Sequence, residues 1–103
     1  MISKAGARAI LEQFLNGMYM DGPPGDGIVV NADVVEREYG WLFTYTTAAF
    51  RRTGDHRHAL VGAGPVAVLR DSGRIITFPS YLSRSQAVAE YEAAPQKFAA
   101  GQQ

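Results

Sequence analysis

The sequence predicts an α+β domain: a predominantly antiparallel four-stranded sheet packed against N-terminal and C-terminal helices, in the order α-β-β-β-β-α. Three observations carry this reading. Apolar residues recur at helical spacing near the two ends of the chain, β-branched and aromatic residues alternate through its middle, and runs of glycine, proline and aspartate mark the boundaries. With 103 residues the chain has length for a single core, expected over 1–103 with a flexible tail at 95–103. A radius of gyration of about 13 Å follows from that length.

The first helix is predicted over residues 4–16. Ala7, Ile10, Leu11, Phe14 and Leu15 gather on one helical face, Ser3 is placed to cap the N-terminus, and Asn16 and Gly17 supply an exit. A helix of this length is marginal alone in water, so its stripe needs a sheet to cover it. The turn formers at 21–27 then stop the helix, and the following residues read as β structure with a bulge or bend around Asn31, Ala32 and Asp33. Val35, Arg37 and Tyr39 share one strand parity, Trp41, Phe43 and Tyr45 share another, and the chain is expected to reverse at Tyr39 and Gly40. Residues 48–64 are irregular and admit a short helical turn. Strands at 66–70 and 74–78 flank Asp71, Ser72 and Gly73, a three-residue hairpin connection with glycine where a left-handed residue is needed. Ser83 and Gln86 have the spacing of a reciprocal capping box, Ala87, Val88 and Tyr91 form the apolar side of the last helix, and Pro95 closes it. One sheet face covered by both helices is the economical packing. Leu11, Phe14, Leu15, Trp41, Phe43, Val68, Ile76 and Tyr91 are its expected core.

Ten basic residues balance ten acidic ones, which disfavours both a strongly basic nucleic-acid binder and a highly acidic nucleic-acid mimic. Residues 1–50 nevertheless carry a net charge of −3 and the remainder +3. Folding can keep those halves apart or interleave them across antiparallel strands. The absence of cysteine excludes disulfides, thiolate nucleophiles and cysteine-ligated metals. The N-terminal residues lack a signal-peptide core, and no apolar run approaches the roughly twenty residues of a membrane span. A cytoplasmic protein with no nucleic-acid or membrane partner and no cofactor is expected.

Asp55, His56, Arg57 and His58 form the one cluster that invites a metal or acid-base reading. In an extended segment both imidazoles would lie to one side, yet a third ligand at recognisable spacing is missing and Arg57 opposes a cation. A solvated basic loop is the simpler account. Glu36 and Glu38 share a strand parity and could meet basic residues of a partner, or solvate the outer sheet face. Gly62, Ala63, Gly64 and Pro65 lack the lysine of a phosphate-binding loop and precede a strand, so they read as a turn. Arg51 and Arg52 with Phe50 and Arg57 make a short basic patch, and Tyr39 and Tyr81 are aromatic residues able to anchor an interface. The candidate partner-binding set is therefore Glu36, Glu38, Tyr39, Arg51, Arg52, His56, Arg57, His58 and Tyr81. No catalytic or metal-binding residue is assigned.

The linear order of motifs adds to this. Glu38 to Tyr45 (EYGWLFTY), then Arg52-Thr53-Gly54-Asp55, Gly62-Ala63-Gly64-Pro65 and Asp71-Ser72-Gly73-Arg74-Ile75 closely resemble the bacterial immunity protein 35 family, also called the YrhB-domain family. The resemblance spans roughly residues 5–93. It implies a compact α+β protein, encoded beside a polymorphic toxin, that neutralises the cognate toxin by binding it; it implies no catalytic inventory. Tyr39, Gly40, Trp41, Gly54, Asp55, Gly64, Pro65, Asp71 and Gly73 match framework positions of the family. Where the family commonly has a glycine-threonine pair before the last helix, this chain has Phe78, Pro79, Ser80 and Tyr81. That departure keeps a chaperone-like or generic protein-interaction role as the alternative, with a small metal-dependent enzyme more remote. A homodimer is compatible with all three.

Overall fold

Ser3 accepts a hydrogen bond from the backbone N–H of Gly6 at 3.0 Å and starts helix α1, Lys4–Gly17. The computed structural model describes residues 2–19, 22, 25–60 and 63–98. Ala7, Leu11 and Leu15, spaced four apart, form the buried line of α1, with Ile10 and Phe14 half-buried beside it. Among the described residues six strands follow: β1 (Ile28–Val30), β2 (Val35–Arg37), β3 (Gly40–Phe43), β4 (Tyr45–Thr47), β5 (Val66–Leu69) and β6 (Ile75–Thr77). The four-stranded sheet has the order β2-β3-β5-β6 and is antiparallel throughout, while β1 and β4 pair separately. Helix α2 (Ala48–Thr53) and a 3-10 turn (His56–His58) occupy the irregular middle, and α3 (Arg84–Ala93) packs near the C-terminal end. The radius of gyration is 13.5 Å.

The β1–β4 and β2–β3 pairs are halves of one long, interrupted hairpin. Val30 pairs with Tyr45 and Val35 with Leu42, so residues 31–34 oppose only residues 43 and 44. Asn31 bridges the gap: its backbone N–H donates to the Thr44 carbonyl at 2.9 Å and its side-chain amide to Thr44 Oγ1 at 2.8 Å. The bulge expected around Asn31, Ala32 and Asp33 is thus present, and it splits the pairing because two extra residues cannot be absorbed by a regular ladder. The reversal falls one residue earlier than the sequence suggested: Glu38 and Tyr39 form the turn, and Gly40 already pairs with Arg37. Gly40 is required by close approach, since a Cβ there would collide with the Val68 carbonyl oxygen on the neighbouring strand. In the second hairpin Gly73 has φ 74°, the left-handed conformation that its connection needs.

Alternation along the strands sends side chains to two different helices. Trp41, Phe43, Val66, Val68 and Ile75 face α1, whereas Leu42, Ala67, Ile76 and Phe78 face Ala87 and Val88 of α3. The expectation that both helices cover one face is therefore corrected. Strand β3 is buried at all four positions, so neither face could be left to water. Of the expected core, Leu11, Leu15, Trp41, Phe43, Val68 and Ile76 are buried, and Phe14 and Tyr91 are half-buried.

Polar side chains of α1 finish the free edge of β1. Asn16 accepts from the Ile28 N–H at 2.8 Å and donates to the Ile28 carbonyl at 3.1 Å; Glu12 accepts from the Val30 N–H at 2.9 Å; Arg8 donates to the Val30 carbonyl at 2.8 Å. The spacing explains the fit. Four helical residues rise about 6 Å, close to the repeat of about 6.6 Å over two strand residues. Residues 8, 12 and 16 thus stand in for a missing strand and blunt an edge that would otherwise be open to pairing.

Ser83 caps α3 with a complete capping box: its hydroxyl accepts from the Gln86 N–H at 3.1 Å, and Gln86 Oε1 accepts from the Ser83 N–H at 2.8 Å. Pro79 begins the preceding turn, closed by the Leu82 N–H on the Pro79 carbonyl at 3.1 Å. After α3, residues Pro95–Phe98 form a 3-10 turn, and residues 99–103 of the expected tail lie outside the described residues. So do residues 21, 23 and 24 of the first turn-forming run and Gly62 of the second.

Candidate functional site

The candidate residues fall into two groups at opposite ends of the four-stranded sheet, with Tyr81 between β6 and α3. At one end the β2–β3 turn and the β5–β6 turn lie side by side, because Gly40 pairs with Leu69. Glu36, Glu38 and Tyr39 belong to this end. Glu38 sits beyond β2, in the turn, so the common strand face expected for Glu36 and Glu38 is not formed: no strand pleat orients Glu38. Arg70 gathers the turn instead. Its guanidinium donates to the Glu38 carbonyl at 3.1 Å, the Arg37 carbonyl at 2.8 Å and the Glu36 carboxylate at 3.2 Å. It also lies 4.4 Å above the Trp41 ring, a cation-π contact. The Trp41 indole N–H is buried beneath with no hydrogen-bond partner among the described residues.

On the α3 side of the same end, Tyr39 and Tyr91 pack ring against ring at 4.7 Å and 38°. Tyr39 donates its hydroxyl to Glu92 Oε2 at 3.0 Å, and Arg37 donates to the same oxygen at 3.2 Å. Burial, reinforced by the hydrogen bond to Glu92, pushes the Tyr39 hydroxyl up to about 12. Glu38, Tyr39, Leu69, Arg70, Asp71 and Tyr91 line a cleft of about 180 Å³.

At the opposite end, α2 and the 3-10 turn carry Arg51, Arg52, His56, Arg57 and His58. Thr47, wholly buried, ties this segment down: its hydroxyl accepts from the Phe50 N–H at 2.9 Å and donates to the His58 carbonyl at 2.7 Å. Arg52 pairs with Asp26 at 3.0 Å. His56 lies against Phe50, with ring centroids 5.8 Å apart. The extended geometry that would set both imidazoles on one side does not occur. Residues 56–58 form a 3-10 turn, in which positions two apart diverge by about 120° around the axis. Asp55 is engaged as the cap of that turn and by Arg57, whose guanidinium approaches to 2.6 Å and holds the Asp55 carboxyl below its usual range. Among the described residues no three His, Cys, Asp or Glu side chains converge as a metal-ligand group. No helix among them is long and apolar enough to cross a membrane.

The charge asymmetry of the two chain halves is interleaved. Arg37–Glu92, Arg52–Asp26, Arg70–Glu36 and Arg84–Asp33 each join one half to the other. Arg84 holds the exposed Asp33 carboxyl below its usual range through a 2.6 Å hydrogen bond. Tyr81 is 81% exposed and makes no such contact among the described residues.

A second cleft, also about 180 Å³, opens on the other face of the sheet, between the start of α1 and the bulge. Its lining combines the buried Phe43 and half-buried Val34, Arg8 and Asn31 with the exposed Lys4, Ala5 and Ala32. Arg51 reaches the same place from α2, donating to the Val30 carbonyl at 3.0 Å and to Asn31 Oδ1 at 2.9 Å. Sequence reasoning included Arg51 but missed Lys4 and Arg8. Their four-residue spacing beside the apolar stripe was the available signal, although it does not reveal which loop they meet. Arg70, Asp71, Tyr91 and Glu92 were missed for the same reason.

No curated protein and no solved structure matches the chain. The sequence does match the family described as immunity protein 35 over residues 5–94, a span running from the second residue of α1 to the residue after α3 and taking in every lining residue of both clefts but Lys4. On that match, and on an α+β architecture of the kind the motif order implied, the chain belongs to the immunity protein 35 family.

Proposed function

We propose that this protein is a non-catalytic, cytoplasmic immunity protein that binds a cognate bacterial toxin, encoded by an adjacent gene, and blocks its active site or a conformational change it needs. The family match over residues 5–94 carries the reading. The side-chain chemistry is consistent with it. The charged groups of the former metal candidate are engaged as a helix cap and an ion pair, and the larger polar clusters hold turns and strand edges together. What lies exposed is Glu38 and Asp71 at one end of the sheet, His56 and His58 at the other, and Tyr81.

The test is co-expression with the product of the adjacent toxin gene, together with direct titration of the two purified proteins. Growth should be rescued, and a stoichiometric complex should form without added metal and survive chelator. Rescue without direct association would overturn the binding mechanism. Equal affinity for unrelated unfolded proteins would favour the chaperone-like reading, and a required metal held by His56 and His58 would favour the enzymatic one.

A further inference from the structure

The cleft between α1 and the bulge has an unbalanced charge. Lys4 and Arg8 line it, Arg51 donates to Asn31 on its wall, and among the described residues these cations meet one carboxylate, Glu12, 3.6 Å from Arg8 Nε. That carboxylate is already engaged by the Val30 N–H at 2.9 Å. Arg51 has no carboxylate partner among the described residues, and its recorded hydrogen bonds all leave from one terminal nitrogen. Lys4 is exposed, with no ion pair among them. Two guanidiniums converge on a single acceptor, the Val30 carbonyl, at 2.8 and 3.0 Å. Like charges held this close are mutually unfavourable unless an anion offsets them, and each guanidinium keeps further N–H donors in fixed positions.

The cleft's form limits what that anion can be. About 180 Å³ is below the roughly 300 Å³ at which small-molecule sites begin, and suits one side chain. Its lining is apolar at Phe43 and Val34, and the small Ala5 and Ala32 leave the opening. An aliphatic stem ending in a carboxylate satisfies both parts: methylenes against Phe43 and Val34, oxygens toward Arg8, Arg51 and Lys4.

We infer that this cleft is a docking site for an acidic side chain, a glutamate or aspartate carried on a loop of the cognate toxin. The inference rests on the toxin-binding reading above and names the contact through which binding occurs. Arg8 and Arg51 are pre-organised by the Val30 carbonyl, so little side-chain freedom remains to be lost on association. Lys4, which anchors nothing in the fold, adds attraction at longer range and speeds encounter.

The experiment titrates the purified product of the adjacent toxin gene against four forms of the full chain: wild type, Lys4→Glu, Ala32→Leu and Glu90→Lys. Lys4→Glu reverses a lining charge that holds no structure, and Ala32→Leu fills the cleft from an exposed position without changing charge. Each should weaken binding at least tenfold while circular dichroism and the unfolding midpoint stay at wild-type values. Glu90→Lys, an exposed position of α3 on the other sheet face, should bind within threefold of wild type. An Arg51→Glu form should lose affinity likewise and regain it with a toxin whose contacting acid is changed to lysine; a scan of toxin acids in which none restores binding would overturn the contact. Wild-type affinity for both Lys4→Glu and Ala32→Leu would overturn this site while leaving toxin binding standing. Absence of binding by the wild type would overturn the functional reading and this inference with it.

Discussion

The two clefts are of equal volume, about 180 Å³ each, yet they differ in how their charges are disposed. At the hairpin turns, Arg70 meets Glu36 and two backbone carbonyls, Arg37 meets Glu92, and the Tyr39 hydroxyl shares the same Glu92 oxygen. Arg37 and Arg70 are matched there by carboxylates and carbonyls of the fold, while the carboxylates of Glu38 and Asp71 stay exposed. At the bulge, Lys4 and Arg8 line the pocket and Arg51 reaches its Asn31, and the carboxylate among the described residues that meets these cations, Glu12, is itself engaged by a strand N–H. A cation already matched within the fold rigidifies a turn and adds little attraction for a partner's carboxylate, whereas cations in excess are left to be matched from outside. The difference comes from backbone geometry. Antiparallel turns bring side chains of both chain halves together, while the Val30 carbonyl, on the free edge of β1 beside the bulge, takes two arginines at once.

The largest effect that sharpens this comparison is at Trp41, the platform beneath Arg70. Trp41→Ala should destabilise the fold by about 3–5 kcal/mol, read as a shifted midpoint in urea. Trp41→Phe should lose much less, because it keeps an aromatic face for Arg70 and removes a buried N–H that has no partner. An unchanged midpoint for Trp41→Ala would break the view that the hairpin end is built on the core.

Next in size is Asn16, which belongs to the α1 ladder along β1. Asn16→Ala leaves the Ile28 N–H and carbonyl without their partners and should cost about 1–3 kcal/mol. Amide exchange should speed first at residues 28–30, next to the bulge cleft, and not at the hairpin turns. Uniform acceleration would mean that the two ends unfold together.

Within the matched cluster, Glu92→Gln should change stability by less than about 1 kcal/mol, because Arg37 and Glu92 are each nearly half exposed and water can replace the pair. A larger loss would show that the cluster is more rigid than its exposure implies.

The smallest effect concerns alkaline pH. Tyr39 titrates at about 12 in the fold, above its ordinary value near 10, so the folded state holds this proton more tightly than the unfolded chain. The resulting stabilisation is fully present below pH ~10 and is lost as pH rises toward ~12. Tyr39→Phe should therefore show a shallower decline in stability over that window. Urea titrations at the two ends of it, for both proteins, would measure the change, and parallel slopes would remove the Tyr39–Glu92 contact from the account of the matched cluster.

Interactions between near neighbours in the chain were legible beforehand. Ser3 and Gly6, Ser83 and Gln86, and the glycine-bearing connection at 71–73 each span three residues or fewer, so spacing and residue type suffice to place them. The apolar stripe of α1 and the bulge near Asn31 are local in the same sense. Misreadings arose where the backbone state of a short segment decided the outcome. His56 and His58 share a side only in a strand, and Glu38 joins Glu36 only if β2 continues; a 3-10 turn and a tight reversal remove both arrangements.

By itself, then, the sequence determined the α+β class, the helix caps, the second hairpin and the family, because these follow from periodicity and from contacts within a few residues. Only the tertiary structure decided that the helices lie on opposite faces, that residues 8, 12 and 16 complete the edge of β1, and that Lys4, Arg8 and Arg51 meet at one cleft. Those contacts join residues far apart in the chain, from 12 positions for Asn16 and Ile28 to 55 for Arg37 and Glu92. Their existence depends on which way each strand pleats and on where a bulge shifts the register, and no pattern of neighbours along the chain encodes either until the sheet has formed.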